Sequence, residues 1–336
     1  MVDAALSAQF EQHGVSPLWS VMANLVTETP KPNAVAHQWK FEDLKKLLLQ
    51  AGEQISAEEA ERRVLILENP GLAGTHRVTE SLYAGLQLVL PGEIAPAHRH
   101  TQSALRFVLE SNGAWTSVDG EMVEMHPFDL VLTPSWRWHE HGGDGGPAIW
   151  LDGLDIPIVQ HFAAGFAERD GNIPASDSLP AGTCLASYGS NLKPASVASD
   201  DQRTPLFHFP YAKWGSALTT FAEATAFDPH LGWAMEFTNP VDGGAVMGTV
   251  SAFCHRIRAG AKTEPYRQSS SSVYTGVSGS GTVILDGKRF EISPKNLVAV
   301  PSWAVLEIEA DEELTLFSYS DRTCHEKLGF WREERL

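Results

Sequence analysis

The chain has 336 residues, of which 25 are basic and 42 acidic, and its formal net charge is −17. This length predicts about two domains with sizeable cores, and the acidic balance argues against nucleic acid or anionic membranes, which need a basic footprint. We therefore expect a small-molecule partner. Cys184, Cys254 and Cys324 lack Cys-x-x-Cys spacing, and neither a signal peptide nor an apolar membrane span is visible. These features predict free thiols and a cytoplasmic protein.

Residues 1–75 are predicted to form an N-terminal helical arm. In the segment 40–52 the apolar residues recur at helical spacing, and its final glycine suits a helix C-cap. Ser56 and Glu59 then match a capping box, so that a second helical run is expected to reach about Arg63.

From about residue 81 the pattern changes to short alternating apolar runs that are broken by glycine, proline and Asp-Gly pairs. Such a pattern is typical of antiparallel strands and hairpins. Asp119-Gly120 and Asp286-Gly287 are the clearest hairpin turns. We expect an all-β protein with two barrels: an N-terminal barrel over 76–162, a linker region with some helix over 163–225, and a C-terminal barrel over 226–336.

The two predicted barrels are copies of each other. The stretch from Asp119 to Trp136 returns as the stretch from Asp286 to Trp303, 167 residues later. Gly92 with a five-residue spacer likewise returns as Gly260, 168 residues later. An offset of this size indicates a duplicated domain and not a short solenoid repeat.

Three histidines of the first copy form a candidate metal site. Alternate side chains of a strand share one face, so His98 and His100 project together, and His139 can join them from a strand about 40 residues further on. Three imidazoles on one face leave about three open positions on an octahedral metal. Because the second copy carries other residues at all three positions, we predict one metal per chain; those residues are Tyr266, Gln268 and Leu306.

Several longer motifs carry a family resemblance. The stretches 91–107, 133–141 and 150–157 resemble the gentisate 1,2-dioxygenase family, which includes salicylate and 1-hydroxy-2-naphthoate dioxygenases. Pro30-Lys-Pro, Asn69-Pro-Gly-Leu and the stretch 253–260 extend the likeness over most of the chain. The resemblance implies a bicupin of two antiparallel jelly-roll β-barrels, a homo-oligomer such as a tetramer, and one Fe(2+) per chain with O2 as co-substrate.

The first barrel departs from many metal cupins, which place a glutamate four or five positions after the second histidine. Ala104 and Leu105 stand there. A divalent ion on three neutral imidazoles keeps its +2 charge, and an ortho-hydroxybenzoate neutralises it through two oxygens. The resemblance implies conversion of gentisate and O2 to maleylpyruvate. Salicylate, 5-substituted salicylates and 1-hydroxy-2-naphthoate remain alternative substrates.

Arg106 is the principal candidate for binding the substrate carboxylate. If the strand continued regularly from His100, Arg106 would share the face of the histidines and point into the barrel. A buried guanidinium needs a partner, and a bidentate carboxylate is suitable. The alternative is a structural ion pair with an internal acid such as Glu110 or Glu124.

Other candidates have weaker support. His141 shares the parity of His139 and could bind the substrate phenolate or relay a proton, or be a structurally bonded histidine. Asp152 could accept a hydrogen bond from the 5-hydroxyl of gentisate, or belong to a turn. The resemblance also places Arg62 or Arg63 near the pocket, although a solvated helix face is the commoner role. It further implies pocket positions that could equally be plain strand residues, namely Tyr83, Gly85 and Gln87.

Two other classes of function stay open on the sequence. A metal-dependent isomerase or decarboxylase of the cupin fold usually needs the missing glutamate. A non-enzymatic binding bicupin has no need for the three histidines or for an arginine that faces the barrel. Stoichiometric iron in the purified protein is the observation that separates these alternatives from a dioxygenase.

Overall fold

The computed structural model describes residues 3–169, 178–195 and 203–336. Short strands dominate these residues, as the alternating apolar runs predict. The helices in them are α1 (Ala4–Gln12), α2 (Leu18–Leu25), α3 (Phe41–Gln54), α4 (Ala57–Ala60), α5 (Ile156–His161), α6 (Thr183–Tyr188), α7 (Tyr211–Ala224) and α8 (Arg322–Leu328), with a 3-10 turn at Pro70–Leu72. The strands are β1 (His37–Trp39), β2 (Arg63–Ile66), β3 (Tyr83–Val89), β4 (Glu93–His100), β5 (Ala104–Glu110), β6 (Ala114–Val118), β7 (Glu121–Glu124), β8 (Leu130–Thr133), β9 (His139–Gly143), β10 (Ala148–Leu154), β11 (Ala167–Arg169), β12 (His208–Phe209), β13 (Trp233–Glu236), β14 (Ser251–Ile257), β15 (Tyr266–Gln268), β16 (Ser272–Ser278), β17 (Gly281–Leu285), β18 (Lys288–Ile292), β19 (Leu297–Val300), β20 (Leu306–Ala310), β21 (Leu314–Ser320) and β22 (Glu333–Arg335).

Each barrel consists of a six-stranded and a five-stranded sheet in the described part of the chain. The first barrel combines the order β12-β8-β5-β10-β3-β2 with the order β11-β4-β9-β6-β7. The second combines β1-β19-β16-β21-β14-β13 with β18-β17-β20-β15-β22. The strands within these sheets pair antiparallel. The predicted all-β bicupin is therefore confirmed.

The Asp-Gly hairpins form at the predicted places. Asp119 and Gly120 connect β6 and β7 with φ of 45° and 84°, and Asp286 and Gly287 connect β17 and β18 with φ of 50° and 80°. Two successive positive φ values define the tight turn that matches the twist of a hairpin, and aspartate and glycine tolerate them.

Strand register confirms the duplication at the level of single pairs. In the first barrel His98 of β4 lies opposite His139 of β9, and in the second barrel Tyr266 of β15 lies opposite Leu306 of β20. The second copy therefore keeps the architecture of the candidate site while its side chains differ.

One hydrophobic cluster joins the two barrels, while a second cluster lies within the second barrel alone. Phe107 of β5 stacks on Phe317 of β21, with ring centroids 4.0 Å apart and planes 4° apart. Tyr319 donates a hydrogen bond of 2.8 Å to the carbonyl of Tyr83. Both aromatic residues of β21 belong to a buried cluster with residues of the first barrel, so the six-stranded sheets of the two barrels face each other across this core.

The residues up to Pro32 form a compact unit of their own, which contains α1 and α2. Asp3 caps α1, since its Oδ1 accepts a hydrogen bond of 2.8 Å from the Leu6 amide. Several apolar side chains of this unit are exposed to solvent, among them Leu18, Trp19 and Leu25.

The stretch 33–75 is less helical than predicted. The first predicted helix does not end at Gly52 but runs to Gln54. Gly52 is instead a site of close packing, since a Cβ there would lie 3.1 Å from a methyl group of Leu88. The second helix ends at Ala60. Two strands that the sequence pattern did not indicate complete the stretch: β1 pairs with β19 of the second barrel and β2 pairs with β3 of the first.

The region between the barrels contains α6 and α7, as expected for a linker with some helix. It also contributes strands to the first barrel, since β11 pairs with β4 and β12 pairs with β8. Residues 170–177 and 196–202 of the predicted linker lie outside the described residues. The domain boundaries given above stay a prediction.

The three cysteines carry free thiols. Burial is the main cause that raises the pKa of Cys184 and of Cys254 to about 12, so neither thiol ionises at neutral pH. Among the described helices, each is too short or too polar to span a membrane.

Asp155 fixes the turn that follows the two histidines of β4. Its carboxylate accepts a hydrogen bond of 2.9 Å from the Ser103 amide and another from the Thr249 hydroxyl. Burial raises the pKa of Asp155 to about 6, against the opposing effect of these hydrogen bonds. Between the pKa of Asp155 in the unfolded chain, about 4, and its pKa of about 6 in the folded protein, the folded state binds more protons than the unfolded state. The contribution of Asp155 to stability therefore falls as the pH rises from about 4 to 6.

Asp155→Asn is therefore expected to flatten the dependence of stability on pH. Between pH 4 and pH 7, the free energy of unfolding of the original chain should fall by about 2 kcal/mol more than that of the variant. Urea unfolding of the metal-free proteins at four pH values measures this difference, because all other carboxyl groups are common to both chains. Parallel curves for the two proteins would contradict the assignment.

Candidate metal centre

His98 and His100 lie at the end of β4, and His139 begins the neighbouring strand β9. Alternation along β4 places the first two imidazoles on one face, and the register sets His139 directly opposite His98. One nitrogen from each ring lies within 4.8 Å of the others, as a shared metal ion requires. Among the described residues, this is the group of histidine, cysteine and acidic side chains with such geometry.

Hydrogen bonds orient each of the three rings. Nδ1 of each ring contacts a backbone carbonyl, which accepts only, so Nδ1 carries the proton and Nε2 is unprotonated. The buried Nε2 of His139 has no hydrogen-bond partner in the described structure. These nitrogens fit a metal ion. The carbonyls belong to Pro96, 3.0 Å from His98, Gln102, 2.8 Å from His100, and Arg137, 2.9 Å from His139.

All three imidazoles are neutral at physiological pH. Burial, together with the charges of Arg62 and Arg106, lowers the pKa of His98 to about 3 and that of His100 to about 4. The pKa of His139 also lies well below its usual value, chiefly because of burial. A metal ion therefore does not compete with protons for these ligands near neutral pH.

Carboxylate ligands do not accompany the histidines. Ala104 lines the same cavity, and Leu105 is fully buried in the core. The acids that line the cavity in the described structure, Asp152 and Glu168, are outside the metal-binding group. The donor set is thus three neutral nitrogens.

Arg106 reaches the cavity by a route that differs from the expected one. The strand does not continue from His100, because the chain turns at 101–103 and Arg106 lies on β5 of the opposite sheet. Its side chain is 4% exposed and faces the histidines across the barrel. Burial lowers the pKa of Arg106 to about 10, so the guanidinium remains charged at neutral pH.

The partners of Arg106 are not those considered from the sequence. Its Nη1 donates 2.5 Å to the Thr133 hydroxyl, Nη2 lies 2.9 Å from Nε2 of His141, and Nε lies 3.8 Å from Oδ1 of Asp152. The buried Nε has no hydrogen-bond partner in the described residues. Glu110 instead binds Lys45 at 2.8 Å and Lys295 at 2.6 Å.

His141 is held in one tautomer. The Thr116 hydroxyl donates to the carbonyl of Glu140 at 3.0 Å, so its oxygen accepts from Nδ1 of His141 at 2.8 Å. Nε2 then carries no proton and accepts from Arg106. Burial lowers the pKa of His141 well below its usual value. The ring therefore offers an unprotonated nitrogen to the cavity.

Asp152 lies opposite Arg106 in the pairing of β10 with β5. Burial raises its pKa to about 6, while Arg106 and a 3.0 Å hydrogen bond from Trp150 Nε1 act in the other direction. The carboxylate is therefore mainly ionised at neutral pH and able to accept a hydrogen bond.

Arg62 stands at the junction of two cavities. One cavity of about 340 Å³ holds the histidines, and a second of about 640 Å³ adjoins it; Arg62, His98 and Arg169 line both. The Nη2 atom of Arg62 lies 2.6 and 2.7 Å from the two ring nitrogens of His98. A metal ion on Nε2 of His98 and this contact would exclude each other, so metal binding would require a different position of the Arg62 side chain.

The remaining predicted positions lie on β3. Tyr83 and Gln87 line the cavity, and burial followed by the charge of Asp152 raises the pKa of Tyr83. Gly85 lies between them, at a point where neighbouring side chains leave no room.

Comparisons with known proteins agree with this geometry. A family model described as Cupin domain matches residues 85–154. The chain is 46% identical to gentisate 1,2 dioxygenase 1 of Aquipseudomonas alcaligenes, over 98% of this chain and 95% of that protein. The chain belongs to the gentisate 1,2-dioxygenase family.

Other members of the family are similar over comparable lengths. The 5-aminosalicylate 1,2-dioxygenase of Comamonas sp is 32% identical over 98% of this chain and 89% of that protein. A crystal structure of salicylate 1,2-dioxygenase from Pseudoaminobacter salicylatoxidans, an adduct with gentisate, superposes with a TM-score of 0.93 at 34% identity, covering 98% of this chain and 93% of the other. This membership makes the chain a ring-cleaving dioxygenase and decides against the isomerase, decarboxylase and non-enzymatic alternatives.

Some cavity residues of this family member were not identified from its sequence. Val64, Leu154, Ile156 and Arg169 line the cavity with the predicted residues. Arg169 lies at the cavity because β11 pairs with β4, which places Arg169 opposite His98. Leu154 and Ile156 follow Asp152 in a motif that carries the family resemblance, and this proximity was the available signal. For Val64 on β2 no signal was available, because that stretch was predicted to belong to the helical arm.

Gly85→Ala tests the tight packing beside the metal centre. A Cβ at this position would lie 2.6 Å from Cγ1 of Val64 and 2.8 Å from the hydroxyl of Tyr83, so one of these side chains must move. We expect kcat/KM for the aromatic acid to fall about tenfold, since a displaced wall misplaces the substrate. Adding Val64→Ala should recover part of the loss. Steady-state oxygen uptake measures both, and an unchanged single variant would contradict the crowding.

Proposed function

We propose that the chain is an Fe(2+)-dependent dioxygenase that converts gentisate and O2 to maleylpyruvate, with one iron per chain on His98, His100 and His139. The observation that carries the proposal is the set of three neutral imidazoles, with the buried Nε2 of His139 left unpaired, directly across the cavity from Arg106. A neutral three-nitrogen set leaves a divalent ion with its full charge and open positions, which suits a chelating dianion.

Ferrous iron bound there supplies the redox chemistry that joins dioxygen to the ring. Arg106 orients the substrate by turning its two Nη groups to the carboxylate, in place of the contact with His141 that it makes without substrate. The planar guanidinium fixes the angle of the acid as well as its position.

His141 accepts the phenolic proton. Its Nε2 is unprotonated, because Thr116 holds the proton of the ring on Nδ1. When Arg106 turns to the carboxylate, this nitrogen is free to bind the proton that leaves the ortho hydroxyl as the substrate chelates. Thr116 thus acts as a positioning residue through His141.

Asp152 and Tyr83 favour gentisate among the related acids. Both are polar groups in the cavity, and Asp152 is an acceptor at neutral pH. A 5-hydroxyl on the ring donates to such an acceptor, whereas unsubstituted salicylate leaves it without a partner. Gln87 adds a further polar group to the wall, and Arg62 and Arg169 add positive charge that attracts the anion.

Oxygen uptake by the iron-reconstituted protein tests the proposal. Gentisate, salicylate, 5-aminosalicylate and 1-hydroxy-2-naphthoate are offered in parallel, while ultraviolet absorbance follows a ring-opened product. We expect the highest kcat/KM with gentisate and no uptake after removal of iron. Faster uptake with another acid would move the substrate assignment and keep the reaction class; uptake without iron would overturn the cofactor.

The assembly and cellular location belong to the same proposal. We propose a homotetramer in the cytoplasm, and the free thiols of Cys184, Cys254 and Cys324 are consistent with a reducing compartment. Analytical ultracentrifugation of the full chain gives the mass of the assembly directly.

A further inference from the structure

The second barrel keeps a cavity at the place where the first barrel has its metal centre. This cavity has a volume of about 230 Å³. Its buried floor consists of five polar or aromatic side chains from four strands, β14, β15, β16 and β21. They are His255, Tyr266, Ser272, Tyr274 and Ser318.

Strand register shows that the two cavities correspond. Ala234 of β13 lies opposite His255 as Val64 of β2 lies opposite Gln87. Ser318 of β21 lies opposite Tyr274 as Asp152 of β10 lies opposite Arg106. The duplicated barrel has thus lost the metal ligands while retaining a pocket and a polar interior, which a barrel with a purely structural role would fill with apolar side chains.

The ring of His255 lines this cavity. It is 6% exposed, and its Nε2 lies 2.8 Å from the hydroxyl of Ser318. Among the described residues, Ser318 is the hydrogen-bond partner of this ring. Burial lowers the pKa of His255 to about 4, so the ring is neutral.

The charges at the rim differ from those of the first cavity. Arg322 is the cation that lines the second cavity, and its Nε donates 2.8 Å to Glu326 while Glu236 lies at the same rim. Two carboxylates thus more than neutralise one guanidinium. The first cavity has three arginines, Arg62, Arg106 and Arg169, against the two acids Asp152 and Glu168, so its cations are in excess. The first cavity therefore favours an anion, and the second cavity disfavours one.

The walls of the second cavity suit a ring. Phe253 and Leu231 line it beside Met235, and Tyr266 and Tyr274 contribute aromatic faces. The volume holds one six-membered ring with small substituents. A hydroxyl group on such a ring can donate to Nδ1 of His255 or accept from it, according to the tautomer of the imidazole.

From this geometry we propose that the second barrel binds a small neutral phenol, with the ring between the aromatic walls and a hydroxyl on His255. The site neither reacts with the ligand nor needs iron. It is a binding site for an uncharged relative of the aromatic acids that the first barrel takes.

Equilibrium dialysis of phenol and of resorcinol against the iron-loaded full chain, without oxygen, tests the proposal. At the second barrel, defined as the binding that Ala234→Trp removes, we expect one phenol per chain and binding of benzoate at least ten times weaker, because benzoate has the same ring with a negative charge. A matched pair of variants locates the site. Ala234→Trp should weaken phenol binding at least tenfold, whereas Val64→Trp at the corresponding register position of the first barrel should leave it unchanged.

Circular dichroism and the unfolding midpoint show whether each variant folds. If Ala234→Trp does not, His255→Phe replaces it, with an expected loss of about tenfold for the missing hydrogen bond. No saturable binding, benzoate binding that equals that of phenol and is lost in Ala234→Trp, or a loss confined to Val64→Trp would each overturn the proposal. Because the assay involves no turnover, none of these results depends on the proposed reaction of the first barrel.

Discussion

His139→Ala is expected to remove iron from the protein and to lower the rate of oxygen uptake by about a thousandfold or more. Two imidazoles remain in the variant, and a divalent ion on two neutral ligands with otherwise open positions exchanges readily with solvent. The fold should persist, because the replaced ring lies in the cavity and its Nε2 contributes no hydrogen bond within the described protein. Iron analysis after dialysis, together with oxygen uptake, measures both effects.

Leu306→Ala is the matched control for this change. Leu306 occupies the same register position in the second barrel, opposite Tyr266 as His139 is opposite His98. Its truncation removes more apolar surface than the truncation of His139 and should reduce stability by roughly 2–3 kcal/mol, yet leave iron content and turnover per folded molecule unchanged. Iron retained at full occupancy by His139→Ala would contradict the ligand assignment.

Arg106→Met has the second largest expected effect, a fall of kcat/KM by roughly 10²- to 10³-fold. The guanidinium is the cation that the proposal assigns to the substrate carboxylate, and removing one member of a desolvated charge pair costs about 3–5 kcal/mol. Arg106→Lys should recover little, since an ammonium does not reproduce a bidentate contact. The loss should be larger in kcat/KM than in iron affinity.

The effect on stability has to be separated from the effect on binding. Arg106→Met also leaves the buried Asp152 without its cation, which raises the pKa of that carboxyl further above its present value of about 6. The double variant Arg106→Met with Asp152→Asn should regain the stability and not the activity. Recovery of activity in the double variant would show that Arg106 acts only through Asp152.

Arg63→Met provides a matched arginine control. Arg63 is buried on β2 of the same sheet and binds Glu93 at 2.8 Å, but it is absent from the residues that line the cavity. Its loss should lower the unfolding midpoint while kcat/KM per folded molecule stays the same.

Local patterns predicted the parts of the site that lie within single strands. Alternation in β4 is sufficient to place His98 and His100 together, and the two Asp-Gly turns define hairpins without knowledge of the rest. The repeat identified the second barrel and its altered ligand positions. The register then paired His98 with His139 as the triad requires.

Contacts between distant segments were not predictable in the same way. Arg106 was expected on a continuation of β4, yet it faces the histidines from the opposite sheet after a turn. Arg169 and Val64 reach the cavity because β11 and β2 pair at sheet edges, and short edge strands have too few residues to show a period. The placement of β1 beside β19 likewise depends on pairing over more than 250 residues.

The stack of Phe107 on Phe317 explains why a barrel without metal ligands persists in the chain. Each half covers the apolar sheet of the other, so deletion of either half would expose a continuous hydrophobic surface on the remaining half. An isolated half is expected to aggregate when it is produced alone. Two halves synthesised as separate polypeptides in one cell, by contrast, should associate through this surface and form an active enzyme without a peptide bond between them.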